Sequence, residues 1–192
     1  IDSGIYSNHV DLINRVNREI SHDFSNNSTS SGALNDTHGH GTHVAGTIGA
    51  QGNNSIGISG VNLDGDLVSL KINENGSTSS FASKLISAVN YAQINDIKVL
   101  NNSNNFSSIS EVSTSLDIAI KNYDGLFVNS AGNKGQNLET FNILPCSASL
   151  DNVLVVGAIR SDGTRWSSSN FSESKVHVYA PGVNIMSTLP LS

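Results

Sequence analysis

The 192-residue sequence holds only one cysteine, three prolines, one methionine and one tryptophan. A lone cysteine, Cys146, excludes a disulfide within these residues. Nothing around it resembles a Cys-His nucleophile motif, so it is expected to be a small buried core residue. No apolar stretch approaches the ~18 residues of a membrane-spanning helix, and no signal peptide is visible. Basic residues are few, 10 Lys and Arg against 16 Asp and Glu, for a net charge of −6. Without a basic run there is no electrostatic footprint for nucleic acid, and that class of partner is set aside. Aromatics make up 6% and hydrophobic residues 37%, low for a globular enzyme but above a disordered composition. The length suffices for one domain with a sizeable core. Residues 1–192 show no linker and no internal repeat, and they are read as a single domain. Sequons at Asn35 and Asn170 arise easily in a chain so rich in Asn and Ser, and they carry little weight.

Short apolar runs alternate with longer helical patterns. Leu67–Ile72, Ile97–Leu100, Leu126–Val128, Val153–Val156 and Val176–Tyr179 read as strands, some nearly continuous in Val, Ile and Leu. Phe81, Leu85, Ile86, Val89 and Ala92 form one helical stripe, and Val112, Leu116, Ala119 and Ile120 another. A third helix is expected over His40–Ala50, where Ala45 and Gly46 allow close packing. The alternation predicts an α/β fold, a parallel sheet with helices on both faces. Chemistry in such sheets sits at the carboxyl ends of the strands. Residues 21–35 and 103–110 are polar and read as surface loops.

Three stretches carry the chemical signal. Ile1-Asp2-Ser3-Gly4-Ile5 places a carboxylate where a strand ends, although Asp-Ser-Gly alone is more often a turn. Asp36-Thr37-His38-Gly39-His40-Gly41-Thr42-His43-Val44-Ala45-Gly46 packs three of the chain's six histidines into six positions. Glycines on both sides of His40 let backbone approach closely and present its ring at a helix start. Asn129-Ser130-Ala131-Gly132-Asn133 follows a strand. An Asn there can aim its amide into a cleft, or can simply occupy a left-handed turn.

Together and in this order, these stretches resemble the subtilisin-like serine proteases. Asp2-Ser3-Gly4 matches the family's aspartate motif, His40 through Gly46 its histidine motif at every position, and Ser130 through Asn133 its Ala-Ala-Gly-Asn motif with Ser130 for the first Ala. Ala180-Pro181-Gly182-Val183 and Ser187-Thr188-Leu189-Pro190 are further echoes. The resemblance implies a serine endopeptidase. His40 would be the general base, Asp2 would orient the imidazole, and Asn133 would donate to the oxyanion. His43 is expected to be structural. Asp36 is expected to be a loop residue, with support of His40 as the alternative. The family's nucleophile lies in a Gly-Thr-Ser-Met-Ala motif, which the resemblance places past Ser192. These residues are therefore read as a fragment that is inactive and marginally stable alone.

The resemblance also implies a structural calcium loop. Its ligands would be Asp11, Asn54 and the carbonyls of Gly52, Ile56 and Ile58, an all-oxygen set suited to a hard cation. No catalytic cofactor is implied. Polypeptide substrates would lie as an added strand between the edge at Gly76 and Ser77 and the edge at Ser103, Asn104 and Asn105. The second edge departs from the family's Ser-Leu-Gly-Gly, and Asn105 and Phe106 are expected to narrow or reshape the primary specificity pocket. Leu144-Pro145 falls at a family cis proline. Secretion or a cell-surface location, a propeptide and a monomeric full-length protein follow from the family habit. Two other readings stand beside this one. A non-catalytic relative would bind peptides or partners. A zinc hydrolase would use His38, His40 and His43, although Thr42 stands where that pattern wants an acid.

Overall fold

The computed structural model describes residues 1–25, 30–72, 78–107 and 110–191. The chain forms two compact units, one of Ile1–Asn75 with Met186–Ser192 and one of Gly76–Ile185.

In the first unit, β1 (His22–Asp23) pairs in parallel with β2 (Leu70–Lys71), with α1 (Ser30–Ala33) and α2 (His40–Gly49) as its helices. The segment at Asp2 lies alongside β2. Its N–H donates to the Leu70 carbonyl at 3.2 Å, and its carbonyl accepts from Ile72 N–H at 2.9 Å. That pairing fixes which way the Asp2 side chain leaves the backbone. The buried face of α2 is Gly41, Thr42, Ala45, Gly46 and Gly49, small residues that allow other chain to approach the helix closely. A Cβ on Gly46 would collide with Thr188 Oγ1. Thr188 Oγ1 instead donates to the Thr42 carbonyl at 2.7 Å, and Ser187 Oγ donates to the His43 carbonyl at 2.6 Å. Ile5, Leu12, Val16, Ala45, Ala50 and Leu67 form the apolar core of this unit.

In the second unit the elements run α3 (Thr78–Ile94), β3 (Val99–Asn102), β4 (Phe106–Ser107), α4 (Ser110–Lys121), β5 (Leu126–Ser130), β6 (Ile143–Leu144), β7 (Val153–Ile159) and β8 (Val178–Pro181). The main sheet is parallel throughout, in the order β3-β5-β7-β8. Phe127 and Val155 on adjacent strands are fully buried, as are Leu85 and Val89 of α3 and Leu116 and Ile120 of α4. Burying each such side chain contributes about 1.5–3 kcal/mol. Phe81, Leu85, Val89 and Ala92 of the first expected stripe and Leu116, Ala119 and Ile120 of the second are buried, and the Val112 side chain lies outside the described residues. Cys146 is buried as expected, and burial pushes its thiol up to about 12. The Leu144-Pro145 bond is cis.

Two segments read as loops contain short elements. Residues 21–35 hold β1 and α1, and residues 103–110 hold β4 and the start of α4. Backbone pairing overrides polar composition there. His22 N–H reaches the Ser69 carbonyl at 2.9 Å and Phe24 N–H the Lys71 carbonyl at 2.9 Å, and β4 pairs antiparallel with β6. The strand expected over Leu67–Ile72 is reduced to β2, because only Leu70 and Lys71 find a β-strand neighbour at β1.

Candidate active site

Asp2 and His40 meet at the start of α2. His40 Nδ1 stands 2.7 Å from Asp2 Oδ1, with the imidazole half-exposed and the carboxylate mostly buried. Ser3 N–H also donates to Asp2 Oδ1, at 2.8 Å. Burial alone would raise the Asp2 carboxyl. The hydrogen bond and charge of His40, then the Ile1 ammonium and the Ser3 N–H, outweigh it and hold the group below its ordinary range. An ionised carboxylate only accepts, so Nδ1 must carry the ring hydrogen, and the lone pair of the neutral imidazole resides on Nε2. That is the nitrogen a general base needs. The contact depends on glycine at position 41, where a Cβ would collide with the Gly4 carbonyl and press on Asp2 Cβ.

Asp36 holds this geometry in place. It is buried, and its Oδ1 accepts from Ser3 Oγ, His38 N–H and Gly39 N–H, each at 3.0 Å. Its Oδ2 accepts from Thr42 N–H at 2.9 Å and Thr42 Oγ1 at 2.7 Å. Ser3 Oγ in turn accepts from Gly41 N–H at 2.9 Å. One carboxylate therefore binds the Asp2 segment and both sides of His40. It also meets the orphan amides at the N-terminus of α2, where negative charge is favoured. Burial would raise Asp36, but the donors from Thr42, Gly39 and Ser3 outweigh it and lower its carboxyl. Asp36 is thus the support for the site, not an ordinary loop residue. The sequence signal was an acidic residue just ahead of a helix start. His43 sits one turn into α2, and its backbone carbonyl accepts from Ser187 Oγ at 2.6 Å. Among the described residues no three His, Cys, Asp or Glu side chains converge on a metal position.

In the second unit, Asn133 follows β5. The left-handed residue of its turn is Gly132, with φ 97°, so Asn133 keeps an ordinary backbone. Its side chain is exposed, and its carboxamide bonds to none of the described residues. A cleft of about 280 Å³ opens beside it, lined in part by Asn101, Ser103, Ser130 and Gly132. Ser103, Asn104 and Asn105 follow β3, next to the end of β5. Here the two strand ends are tied by amides. Asn102 Nδ2 donates to Asn129 Oδ1 at 2.5 Å, Asn129 Nδ2 to Asn105 Oδ1 at 3.0 Å, and Asn105 Nδ2 to Ser130 Oγ at 2.6 Å. Asn104 Nδ2 closes back onto Asn102 Oδ1 at 3.2 Å. The Asn105 side chain therefore spans from the end of β3 to the end of β5. Gly76 and Ser77 lie outside the described residues.

Asp11 and the turn holding Asn54 and Ile58, the segments expected to form a cation loop, bond directly to one another. Asp11 is fully buried. Its Oδ1 accepts from Asn54 Nδ2 at 2.9 Å and its Oδ2 from Ile58 N–H at 2.9 Å. A Cβ on Gly57 would collide with that carboxylate. Gly52, Asn54, Ile56 and Ile58 line one concave turn, with left-handed backbone at Asn53, Ser55 and Gly57. The donor set fits a hard cation in kind, one carboxylate with amide and carbonyl oxygens. Asn54 turns its nitrogen to Asp11 and its oxygen to Ile56 N–H at 3.2 Å. A half-turn of that carboxamide would present oxygen to the carboxylate's side.

Comparison with known proteins identifies relatives of the whole chain. The family model of the subtilases, peptidase family S8, matches residues 1–192. The major intracellular serine protease of Bacillus subtilis is 33% identical over 195 residues, covering 99% of this chain and 59% of that protein. Subtilisin E of the same organism is 35% identical over 192 residues, covering 99% of this chain and 47% of that protein. Among solved structures, MycP1 with its N-terminal propeptide removed is similar with a TM-score of 0.79 at 26% identity, covering 98% of this chain and 65% of that chain.

The Asp36 network predicts a pH signature. Its folded carboxyl titrates below the unfolded value of about 3.9, so its contribution to stability is full above about pH 4 and is lost as pH falls further. Asp36→Asn leaves the Thr42 donors facing an amide nitrogen and should cost about 1–3 kcal/mol at neutral pH. Denaturant melts from pH 7 to pH 3 should show the gap between wild type and variant closing at the acid end. A gap independent of pH would contradict it.

Proposed function

The chain belongs to the subtilase family, and from that premise we propose that its full-length protein is a serine endopeptidase. The chain spans about half the length of the curated relatives it matches, 59% of one and 47% of another. The observation that carries the proposal is the 2.7 Å contact between His40 Nδ1 and Asp2 Oδ1. His40 Nε2 takes the proton of a serine hydroxyl as that oxygen attacks the peptide carbonyl, then delivers it to the leaving amine. Asp2 keeps the imidazole in the right tautomer and stabilises its cation. The Asn133 carboxamide donates to the oxyanion of the tetrahedral intermediate. The exposed, unengaged amide of Asn133 supports that role.

The substrates in this reading are polypeptides held along the edge formed by Ser103, Asn104 and Asn105. The Asn105 amide, already bonded to Ser130 Oγ, takes space that a large side chain at the cleavage site would need, so small residues are favoured there. Calcium would be held by Asp11, Asn54 and the carbonyls of Gly52, Ile56 and Ile58. When bound it would neutralise the buried Asp11 carboxylate and brace the turn.

In the full-length protein, Asn133→Ala should lower kcat about 10²–10³-fold with KM little changed, a magnitude that itself comes from a subtilisin. Peptide hydrolysis measured before and after the change checks it. Equal turnover by both proteins would remove Asn133 from the chemistry, and absence of hydrolysis by wild type would remove the peptidase reading. Separately, a chelator should lower the melting temperature and added calcium restore it, whereas Asp11→Ala should abolish this response. Metal analysis finding no retained calcium, with melts unchanged by chelator, would contradict the calcium site.

A further inference from the structure

We propose that Asn170 is the positioning residue for the Asn133 carboxamide, an inference that rests on the oxyanion reading of Asn133. The chain leaves β5 with Ala131 N–H still bonded to the Val156 carbonyl at 2.8 Å. It then turns through Gly132, exposes Asn133 and Lys134, and turns again at Gly135, with φ 64°. Gly135 N–H donates to the Ser168 carbonyl at 2.7 Å, but the groups flanking Asn133, from the Ala131 carbonyl to the Lys134 N–H, need a further anchor. Asn170 supplies it. Asn170 is 1% exposed. Its Nδ2 donates to the Ala131 carbonyl at 2.8 Å. Its Oδ1 accepts from Lys134 N–H at 3.1 Å and Gln136 N–H at 2.9 Å. Its own backbone N–H donates to the Gly132 carbonyl at 2.9 Å.

These four bonds bracket Asn133 on both sides and leave Asn133 itself untouched. The backbone that carries the oxyanion donor is pinned, while the donor amide stays available. That is the condition for electrostatic stabilisation without reorganisation at the moment of reaction. Only asparagine meets the requirement at this reach. Aspartate would accept from both amides but could not donate to Ala131, and serine is too short to do both. Two N–H donors on one atom and a carbonyl on the other also settle which way the amide points. A Cβ on Gly132 would stand 2.6 Å from Asn170 Nδ2, so the same side chain requires glycine in the turn. Its sequence signal was a sequon, but full burial leaves no room for a glycan at Asn170.

The test is a double-mutant cycle in the full-length protein. Asn170→Ala should lower kcat about 10–10²-fold with KM little changed, the scale expected when a catalytic group is displaced by about 1 Å. In an Asn133→Ala background the same change should cost less than about 3-fold, because its effect passes through Asn133. Asn170→Asp keeps the two acceptor bonds. It should fall between wild type and Asn170→Ala in kcat, and it serves in the cycle if the alanine variant does not fold. Equal losses in both backgrounds, or a fall in melting temperature with kcat unchanged, would make Asn170 an ordinary turn anchor and overturn the proposal. If Asn133→Ala alone leaves kcat intact, the oxyanion reading fails first and this inference falls with it.

Discussion

The candidate site depends on one buried carboxylate. Asp36 gathers five hydrogen bonds from Ser3, His38, Gly39 and Thr42. It reaches the chain on both sides of His40, and Gly41 N–H to Ser3 Oγ and Tyr6 N–H to Thr42 Oγ1 add ties beyond the histidine. A carboxylate suits this task because it only accepts, so every nearby donor is drawn inward and none is repelled. The glycines at 39 and 41 are the steric counterpart. Gly39 adopts φ 90°, and Gly41 lets the helix start close onto the Gly4 backbone. Charge, hydrogen bonding and missing side chains thus all serve one contact, between an imidazole and Asp2.

The second unit solves a similar problem by other means. The carboxyl ends of β3 and β5 are tied by amides instead of a carboxylate. Asn102, Asn129 and Asn105 form a chain from strand to strand, and Asn170 clamps the turn beyond β5. Asparagine can accept and donate from one short side chain, so it can satisfy neighbouring backbone without adding charge to a buried place. This gives the abundance of Asn at these strand ends a structural reason.

Much of this was legible in the residues. The continuous apolar runs announced the central strands, and the stripes at Phe81–Ala92 and Val112–Ile120 announced α3 and α4. The heptapeptide at His40 carried the site because its glycines are needed for close approach. The supports were less legible. In the residues alone Asp36 reads as a loop residue with support of His40 as the alternative, and Asn170 only as a sequon, because their roles come from backbone donors brought near by tertiary folding. The short elements β1, β4 and β6 escaped for the same reason. Two-residue pairings have no periodicity to detect, and neighbours decide them.

The central claim is that the neutral His40 ring carries its hydrogen on Nδ1, facing Asp2. Nitrogen-15 NMR of the histidine-labelled full-length protein at neutral pH tests it most directly. The account predicts a far-downfield proton coupled to His40 Nδ1, lost on Asp2→Ala. A proton coupled to Nε2 instead, or an Nδ1 signal indifferent to Asp2, would contradict it.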